Sequence, residues 1–135
     1  MKIDYEYIKL ILIAFTESDN PCPLISEIAE KTEGVDNKFA FHLNVLFDYR
    51  FIEIKNRTNS LSFDYDEAGS LDGWCDFNFR LTAQGHEFHA TLQQKEFWAV
   101  VKSDLKDNSI DTVWKIGKEI LSKIATKKAE KLIFG

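Results

Sequence analysis

The first 50 residues carry apolar side chains at spacings of three and four, which predicts three helices. We expect the first helix over residues 4–15, the second over 24–31, and the third from residue 36 or 37 to about 49. Asp4 is placed to cap the first helix, and Gly34 lies in the turn between the second and the third. A short helix, a turn and a longer helix form the helix-turn-helix arrangement.

After the third helix the apolar period changes from about 3.6 to about 2, which predicts an antiparallel sheet. We predict strands over residues 51–55, 61–65 and 74–81. The segment from 56 to 73 would form the wing between them. A helix-turn-helix followed by a small antiparallel sheet is the arrangement of a winged helix.

The predicted return strand over 74–81 carries aromatic residues on both faces, so at least one face should pack on the helices. Trp74 lies on one face, whereas Phe77 and Phe79 share the other face with Leu81. We predict that Phe77 and Phe79 are buried in the core.

Three further helices are predicted over residues 82–94, 95–106 and 110–134, the first of them capped by Thr82. We expect the apolar stripe of the last helix to be buried, either within the chain or on a second copy. Gly117, in the middle of the stripe, either marks the close approach of another backbone element or is simply tolerated there. The stripe consists of Ile110, Val113, Trp114, Gly117, Ile120, Leu121, Ile124 and Ala125.

These elements predict an α+β fold, a winged helix-turn-helix with appended C-terminal helices. We expect a winged-helix domain over residues 1–94, with its wing at about 56–73. Residues 95–135 would form a C-terminal helical extension, packed on that domain or on a second copy.

Charge is unevenly distributed along the chain. Residues 1–80 hold eight basic and fifteen acidic groups, and residues 81–135 hold nine basic and seven acidic groups. Because phosphate contacts dominate the affinity of nucleic-acid binders, this balance argues against tight nonspecific DNA binding.

No apolar run approaches a membrane span and no signal peptide is recognisable, so we expect a cytoplasmic protein that does not bind a membrane.

Residues that could form a catalytic or metal centre are sparse. Cys22 and Cys75 are not part of a C-x-x-C motif, and His86 and His89 are three apart rather than the four of the H-E-x-x-H motif. A glycine-rich phosphate loop and a G-x-S-x-G motif are absent as well. We therefore expect no catalytic residues, no metal and no cofactor, and we do not expect an enzyme.

Four stretches of the sequence resemble a family that covers essentially the whole chain. They are residues 1–8, residues 41–46, the Arg80-Leu81-Thr82-Ala83-Gln84-Gly85-His86-Glu87-Phe88 run, and the C-terminal part around Trp98 and Trp114. The chain resembles the small winged-helix family of unknown function that is common in bacteria and their prophages. The resemblance implies a winged-helix fold and a DNA-binding or regulatory role, and it supplies no functional residues.

One position departs from the pattern of such winged helices. They usually end the third helix with glycine, where this chain has Arg50. A residue other than glycine in the left-handed conformation costs about 1 kcal/mol. Either a charge contact holds Arg50 there, or the helix ends differently.

The outer face of the third helix and the wing supply the candidate contact residues. A helix that reads DNA needs Arg, Lys, Asn or Gln at base edges and cations at phosphates. The nucleic-acid candidates are Lys38, His42, Asn44, Lys55 and Arg57. The same helix also presents Phe41, Val45 and Asp48, which favour a protein partner instead.

Two functions therefore stay open. The leading, family-based hypothesis is a small intracellular, phage-derived regulatory protein that binds DNA. The alternative is a protein-interaction module, or an inhibitor of a host nucleic-acid-binding protein, which uses the acidic wing and the apolar face of the third helix. A homodimer through the last helix is compatible with either.

Overall fold

A computed structural model describes residues 1–55 and 61–135, and in this part of the chain it contains six helices and four short strands. This confirms the α+β class, and each of the six predicted helices is present. The elements are, in chain order, α1 (Tyr5–Glu17), α2 (Ile25–Ala29), α3 (Asn37–Asp48), β1 (Ile52–Ile54), β2 (Phe63–Tyr65), β3 (Leu71–Trp74), β4 (Phe79–Leu81), α4 (Ala83–Gln93), α5 (Lys95–Ser103) and α6 (Ile110–Phe134).

Side-chain caps explain where four of the helices begin. The Asp4 carboxylate accepts hydrogen bonds from two backbone N–H groups in the first turn of α1. Asp36, rather than Asn37, caps α3. Thr82 caps α4, as predicted, and Ser109 caps α6. Each cap satisfies backbone donors that a helix leaves unpaired at its N-terminus.

The strands form two antiparallel pairs. β1 pairs with β4, with Glu53 opposite Arg80, and β2 pairs with β3 in a hairpin. A single bridge between Leu24 and Asn78 adds the segment before α2 to the edge of β4. The β2–β3 pairing is irregular, because its register shifts between Asp64 and Tyr65.

The prediction of one return strand over 74–81 is wrong, because the chain leaves the sheet between Trp74 and Phe79. The intervening residues bind the beginning of α2. The Asp76 carboxylate accepts hydrogen bonds from the Ser26 N–H (3.0 Å) and hydroxyl (2.6 Å), and the carbonyl of Phe77 accepts one from the N–H of Ile25 (3.0 Å). These long-range bonds replace strand pairing.

The break also decides which aromatic residues are buried. Phe79 is 1% exposed, as predicted, whereas Phe77 is 40% exposed, so the prediction that both are buried is wrong for Phe77. Strand alternation holds only while the strand continues, and Phe77 lies in the segment that leaves it. Trp74, at the end of β3, is also largely exposed.

One continuous core joins the N-terminal helices, the β1–β4 pair, α4, α5 and the beginning of α6. Its largest fully buried side chains include Phe39, Phe51, Phe79, Phe88 and Phe97. Phe51 stacks on Phe88, and Trp114 meets both rings edge-on. The core therefore continues across residue 94, where the sequence indicated a division.

α6 is buried only over its first two turns. Gly117 is the last buried residue on the predicted stripe, and Ile120, Leu121 and Ile124 are partly exposed. Other elements approach closely at Gly117, through side chains and not through backbone: a Cβ there would lie 3.1 Å from the Thr91 Cβ and 3.1 Å from the Phe97 Cε2. Beyond Gly117, no residue of the stripe is fully buried by the described part of the chain.

Arg50 adopts the left-handed conformation that the family pattern assigns to glycine, with a φ of 60°. The N–H of Phe51 donates to the carbonyl of Leu46, and the N–H of Arg50 donates to that of Phe47, which together form a Schellman motif. None of the ion pairs in the described part of the chain involves Arg50. Backbone hydrogen bonds, not a charge contact, therefore hold this helix end.

Candidate partner or nucleic-acid interface

The β2–β3 hairpin lies against α3, so that the helix and the hairpin form one surface. The N–H of Leu71 donates to the side-chain oxygen of Asn37 (2.6 Å). The rings of Phe39 and Phe63 meet edge to face with centroids 6.4 Å apart. This docking decides which residues of α3 remain free for a partner.

Asn44, the candidate for base reading, uses its amide nitrogen within the chain. The nitrogen donates to the carbonyl of Ala40 (2.9 Å) and to the hydroxyl of Tyr65 (2.8 Å). Bidentate recognition of adenine requires the amide nitrogen as well as the oxygen. Asn44 would have to release the hairpin before it could read a base.

Lys38, the candidate for phosphate contact, is already paired. Its ammonium lies 3.0 Å from the Asp4 carboxylate and 4.7 Å from the ring centre of Tyr7. The hydrogen bond to Asp4 raises the pKa of Lys38. Burial opposes ionisation of Asp4, but hydrogen bonds from Lys38 and from the helix N-terminus outweigh it and lower the pKa of Asp4. A phosphate would compete with this pair.

His42 lies inside the core with no exposed surface. Its Nε2 accepts a hydrogen bond from the N–H of Asp4 (2.9 Å), and its Nδ1 lies 2.7 Å from the carbonyl of Lys38, to which only an N–H can donate. The imidazole is therefore neutral and protonated on Nδ1. Because a buried ring cannot touch a nucleic acid, we leave His42 out of the contact surface.

The two remaining cationic candidates lie outside α3. Lys55 is exposed after β1, beside a surface cleft of about 390 Å³ that is also lined by Leu24 and Glu27 near the start of α2. Arg57 lies outside the described residues. Lys38 and Asn44 thus share α3 but lie about 120° apart around it, and Lys55 lies outside that helix.

The residues proposed for a protein partner differ in exposure. Phe41 and Val45 are half-buried, and the Phe41 ring lies edge-on to His42 with centroids 5.1 Å apart. Asp48 is exposed at the end of α3. The apolar part of this face is thus smaller than the sequence pattern indicated.

The charge of the hairpin is the feature that the separate elements did not reveal. Residues 61–74 contain four carboxylates and no cation. All four carboxylates, together with Tyr65 (48% exposed) and Trp74 (38% exposed), face solvent. Negative charge next to exposed aromatic rings repels phosphate and favours a basic protein surface. The carboxylates belong to Asp64, Asp66, Glu67 and Asp72.

Sequence reasoning recognised the acidic wing but not its position against α3. The Asn44–Tyr65 and Asn37–Leu71 hydrogen bonds join residues more than 20 positions apart, and the irregular register at Tyr65 turns that side chain outwards. Asn37 and Asn44, seven positions apart on one face of α3, gave the only local signal, and of the two only Asn44 is half-buried and needs a partner for its amide.

Protonation of His42 gives a testable pH dependence. Burial lowers the pKa of His42 from its ordinary value of 6.5, so the unfolded chain binds a proton more readily than the folded chain. The stabilisation is complete above pH 6.5 and decreases as the pH falls through the folded pKa. We expect the free energy of unfolding in urea to decrease between neutral and mildly acidic pH.

The matched variants for this test are His42→Asn and the exposed-site control His86→Asn. We expect the pH slope of stability to be smaller in His42→Asn and unchanged in His86→Asn. Side-chain ¹⁵N NMR of the wild type should show the neutral form protonated on Nδ1. A His42 pKa at or above 6.5 would contradict this account.

Metal and membrane features are absent from residues 1–55 and 61–135. No group of three or more His, Cys, Asp or Glu residues in these ranges is placed to hold a metal ion. No helix there is both long enough and apolar enough to cross a membrane.

Comparisons with known proteins identify a family but no characterised relative. No curated protein and no solved structure matches this chain. One family model, described as "Hypothetical protein (DUF2513)", matches residues 2–111, from the start of the chain to the first turn of α6. Because this match covers most of the 135 residues, the chain belongs to the DUF2513 family.

Proposed function

We propose that this chain is a winged-helix protein-interaction module that binds a basic surface of a partner protein. The contact is made by the hairpin surface, which we define as the exposed side chains of Asp64, Tyr65, Asp66, Glu67, Asp72 and Trp74. The observation that carries the proposal is the acidic hairpin itself, docked on the helix that would otherwise read DNA.

The order and pairing of the elements support the winged-helix part of the proposal. α2 and α3 follow one another as in a helix-turn-helix, and the sheet comes directly after α3. The Leu24–Asn78 bridge and the β1–β4 pair place three segments side by side. The β2–β3 hairpin lies between β1 and β4 in the order of the chain, as the wing of a winged helix would.

The internal contacts of α3 count against DNA binding. Lys38 is neutralised by Asp4, and Asn44 holds Tyr65. The hairpin would bring four carboxylates, none of them in an ion pair within residues 1–55 and 61–135, towards the phosphates of a duplex that lay on α3. Because phosphate contacts supply most of the affinity for DNA, such a surface loses affinity at every sequence.

A basic protein surface would attract the hairpin carboxylates that repel the phosphates of DNA. Carboxylates steer a cationic partner during encounter, and exposed Tyr and Trp supply contact area at low entropic cost. Surfaces that bind nucleic acids are basic because they contact phosphates, so a nucleic-acid-binding protein is the class of partner that fits best. Occupation of its binding surface would make this chain a regulator of that protein.

The first experiment separates DNA binding from protein binding. Fluorescence anisotropy with a labelled random duplex at low salt should show no binding by the wild type. Binding that weakens steeply with salt, and that Lys38→Ala weakens further, would overturn the proposal and restore DNA as the ligand.

The second experiment tests the hairpin surface directly. Asp64→Asn/Asp72→Asn removes two hairpin carboxylates, and Asp104→Asn/Asp107→Asn removes two exposed carboxylates near the end of α5. In pull-downs from host lysate, we expect the wild type and the control to retain a basic protein that duplex DNA then displaces. The amount retained by the hairpin variant should be lower by about tenfold or more. Equal capture by both variants would refute the hairpin as the binding surface.

A further inference from the structure

The distal half of α6, residues 118–134, has no fully buried residue in the described part of the chain. With a rise of about 1.5 Å per residue, it extends about 25 Å beyond Gly117. Ile120 is the last residue on the stripe that packs against the core. Leu132, Ile133 and Phe134 are between 72% and 87% exposed. The region matched by the family model ends before this segment, at residue 111.

An exposed helix of this composition needs another surface for its stability. Isolated helices of about 12–15 residues are marginal in water, and most helical stability in proteins comes from packing of an apolar face. Leu121 and Ile124 extend the apolar stripe and are only half-covered. Exposed apolar side chains that continue a packed stripe favour a further contact.

The charge of the distal half indicates what covers it. Residues 118–135 hold five lysines and two glutamates, a net charge of +3. The other 117 residues therefore hold 12 basic and 20 acidic groups, a net charge of −8. The hairpin surface concentrates four of those acidic groups beside exposed aromatic rings, which complements the distal half in both charge and polarity.

The positions of the lysines further restrict which kind of surface can cover the distal half. Lys128 and Lys131 lie four and seven residues after Ile124, so they occupy the same helix face as the apolar stripe. A helix that lies in a membrane surface keeps its apolar face free of charge. Pairing of two distal halves would bring two positively charged faces together. A mixed aliphatic and basic face instead matches the mixed aromatic and acidic hairpin surface.

The two surfaces belong to different parts of one molecule. α6 packs on α4 and α5, whereas the hairpin packs on α3. Because α6 is one uninterrupted helix from Ile110 to Phe134, its distal half cannot turn back towards the hairpin of its own chain without breaking. A second copy of the chain presents the same hairpin surface without such a break.

We infer that the distal half of α6 of one copy docks on the hairpin surface of a second copy. When the exchange is reciprocal, the assembly is a closed dimer with two identical contacts. The dimer hides the hairpin surface, so a basic partner has to displace the helix of the other copy. Self-association thus regulates the proposed function and rests on the same surface.

Sedimentation velocity at low and at high salt tests the dimer. We expect the wild type to dimerise at low salt and to dissociate as salt screens the contact. Lys128→Glu/Lys131→Glu should weaken the dimer by about tenfold or more, and Glu67→Lys/Asp72→Lys should do the same. The control Lys95→Glu/Lys123→Glu changes the net charge equally but lies outside this helix face, so it should remain dimeric.

Mixing the two charge-reversed variants is the decisive experiment. Glu67→Lys/Asp72→Lys places two cations on the hairpin, whose net charge becomes zero, and Lys128→Glu/Lys131→Glu places two carboxylates on the helix face. The mixture should therefore form heterodimers more strongly than either variant alone forms homodimers. A wild type that is monomeric at all concentrations, or a dimer insensitive to the hairpin reversal, would overturn the inference. Binding of a monomeric wild type to phosphatidylserine-containing vesicles, but not to phosphatidylcholine vesicles, would assign the helix to membranes instead.

A truncated chain distinguishes a failure of the self-association from a failure of the proposed function. Removal of residues 118–135 should leave a monomer that captures the basic partner more strongly than the wild type does. If the truncated chain captures the partner and the wild type never dimerises, only the self-association is wrong. If the dimer forms and no variant captures a partner, only the proposed function is wrong.

Discussion

Gly85→Ala is expected to unfold or severely destabilise this protein, although alanine is the better helix former. A Cβ at position 85 would lie 2.0 Å from the carbonyl oxygen of Phe51 and 2.9 Å from its carbon. The loss should be about 3 kcal/mol or more, since overpacking costs about 1–3 kcal/mol even where side chains can move. Urea unfolding followed by circular dichroism measures it.

The clash is severe because the Phe51 peptide cannot move away. Its carbonyl accepts the N–H of Thr82 (3.0 Å), and its N–H donates to Leu46 (2.9 Å) in the Schellman motif. Displacement would therefore open both the end of α3 and the beginning of α4.

Gly73→Ala is the matched control for this prediction. A Cβ at position 73 would meet only the side chain of Asp64, at 3.8 Å and beyond, which is ordinary van der Waals contact. We expect its stability to stay within about 1 kcal/mol of the wild type. If Gly85→Ala were as stable as Gly73→Ala, the contact between α4 and the end of α3 would be looser than the structure shows.

Phe79→Ala should have the next largest effect, a loss of about 3–5 kcal/mol in the free energy of unfolding. Phe79 is 1% exposed, so truncation leaves a cavity as well as lost apolar burial. A loss of this size approaches the total stability of a small domain. Thermal and urea unfolding should both report it.

Phe77→Ala provides the control from the same stretch of sequence. Its ring is 40% exposed in the segment that binds α2, so we expect a loss below about 1 kcal/mol. The pair tests the break in the return strand, because an unbroken strand would bury both rings. Equal losses in the two variants would contradict the break.

These stability tests bear on function through the hairpin. Phe63 and Phe39 pack where the hairpin meets α3, and Asn44 holds Tyr65 there. Variants that disturb this junction would also disturb the hairpin surface. The surface substitutions at Asp64, Glu67 and Asp72 avoid this difficulty, because their side chains are exposed.

Local patterning along the chain was sufficient for the helices and their caps. Helix periodicity and capping depend on residues within four positions of one another, so Asp4 and Thr82 could be assigned their roles without knowledge of distant neighbours. For Arg50 the sequence left open whether the residue is left-handed or the helix ends differently, and the structure shows the left-handed conformation.

Three-dimensional packing decided the features that govern binding. His42 became a core residue because the N–H of Asp4, 38 positions away, reaches its ring. The predicted return strand is interrupted where the Asp76 carboxylate accepts a hydrogen bond from the hydroxyl of Ser26, 50 positions away. Such pairings depend on how the elements meet in space, since a hydrogen bond between distant residues leaves no periodic trace in the sequence. For the same reason, the sequence showed an acidic wing and a basic last helix, but only the packed fold placed them on separate surfaces.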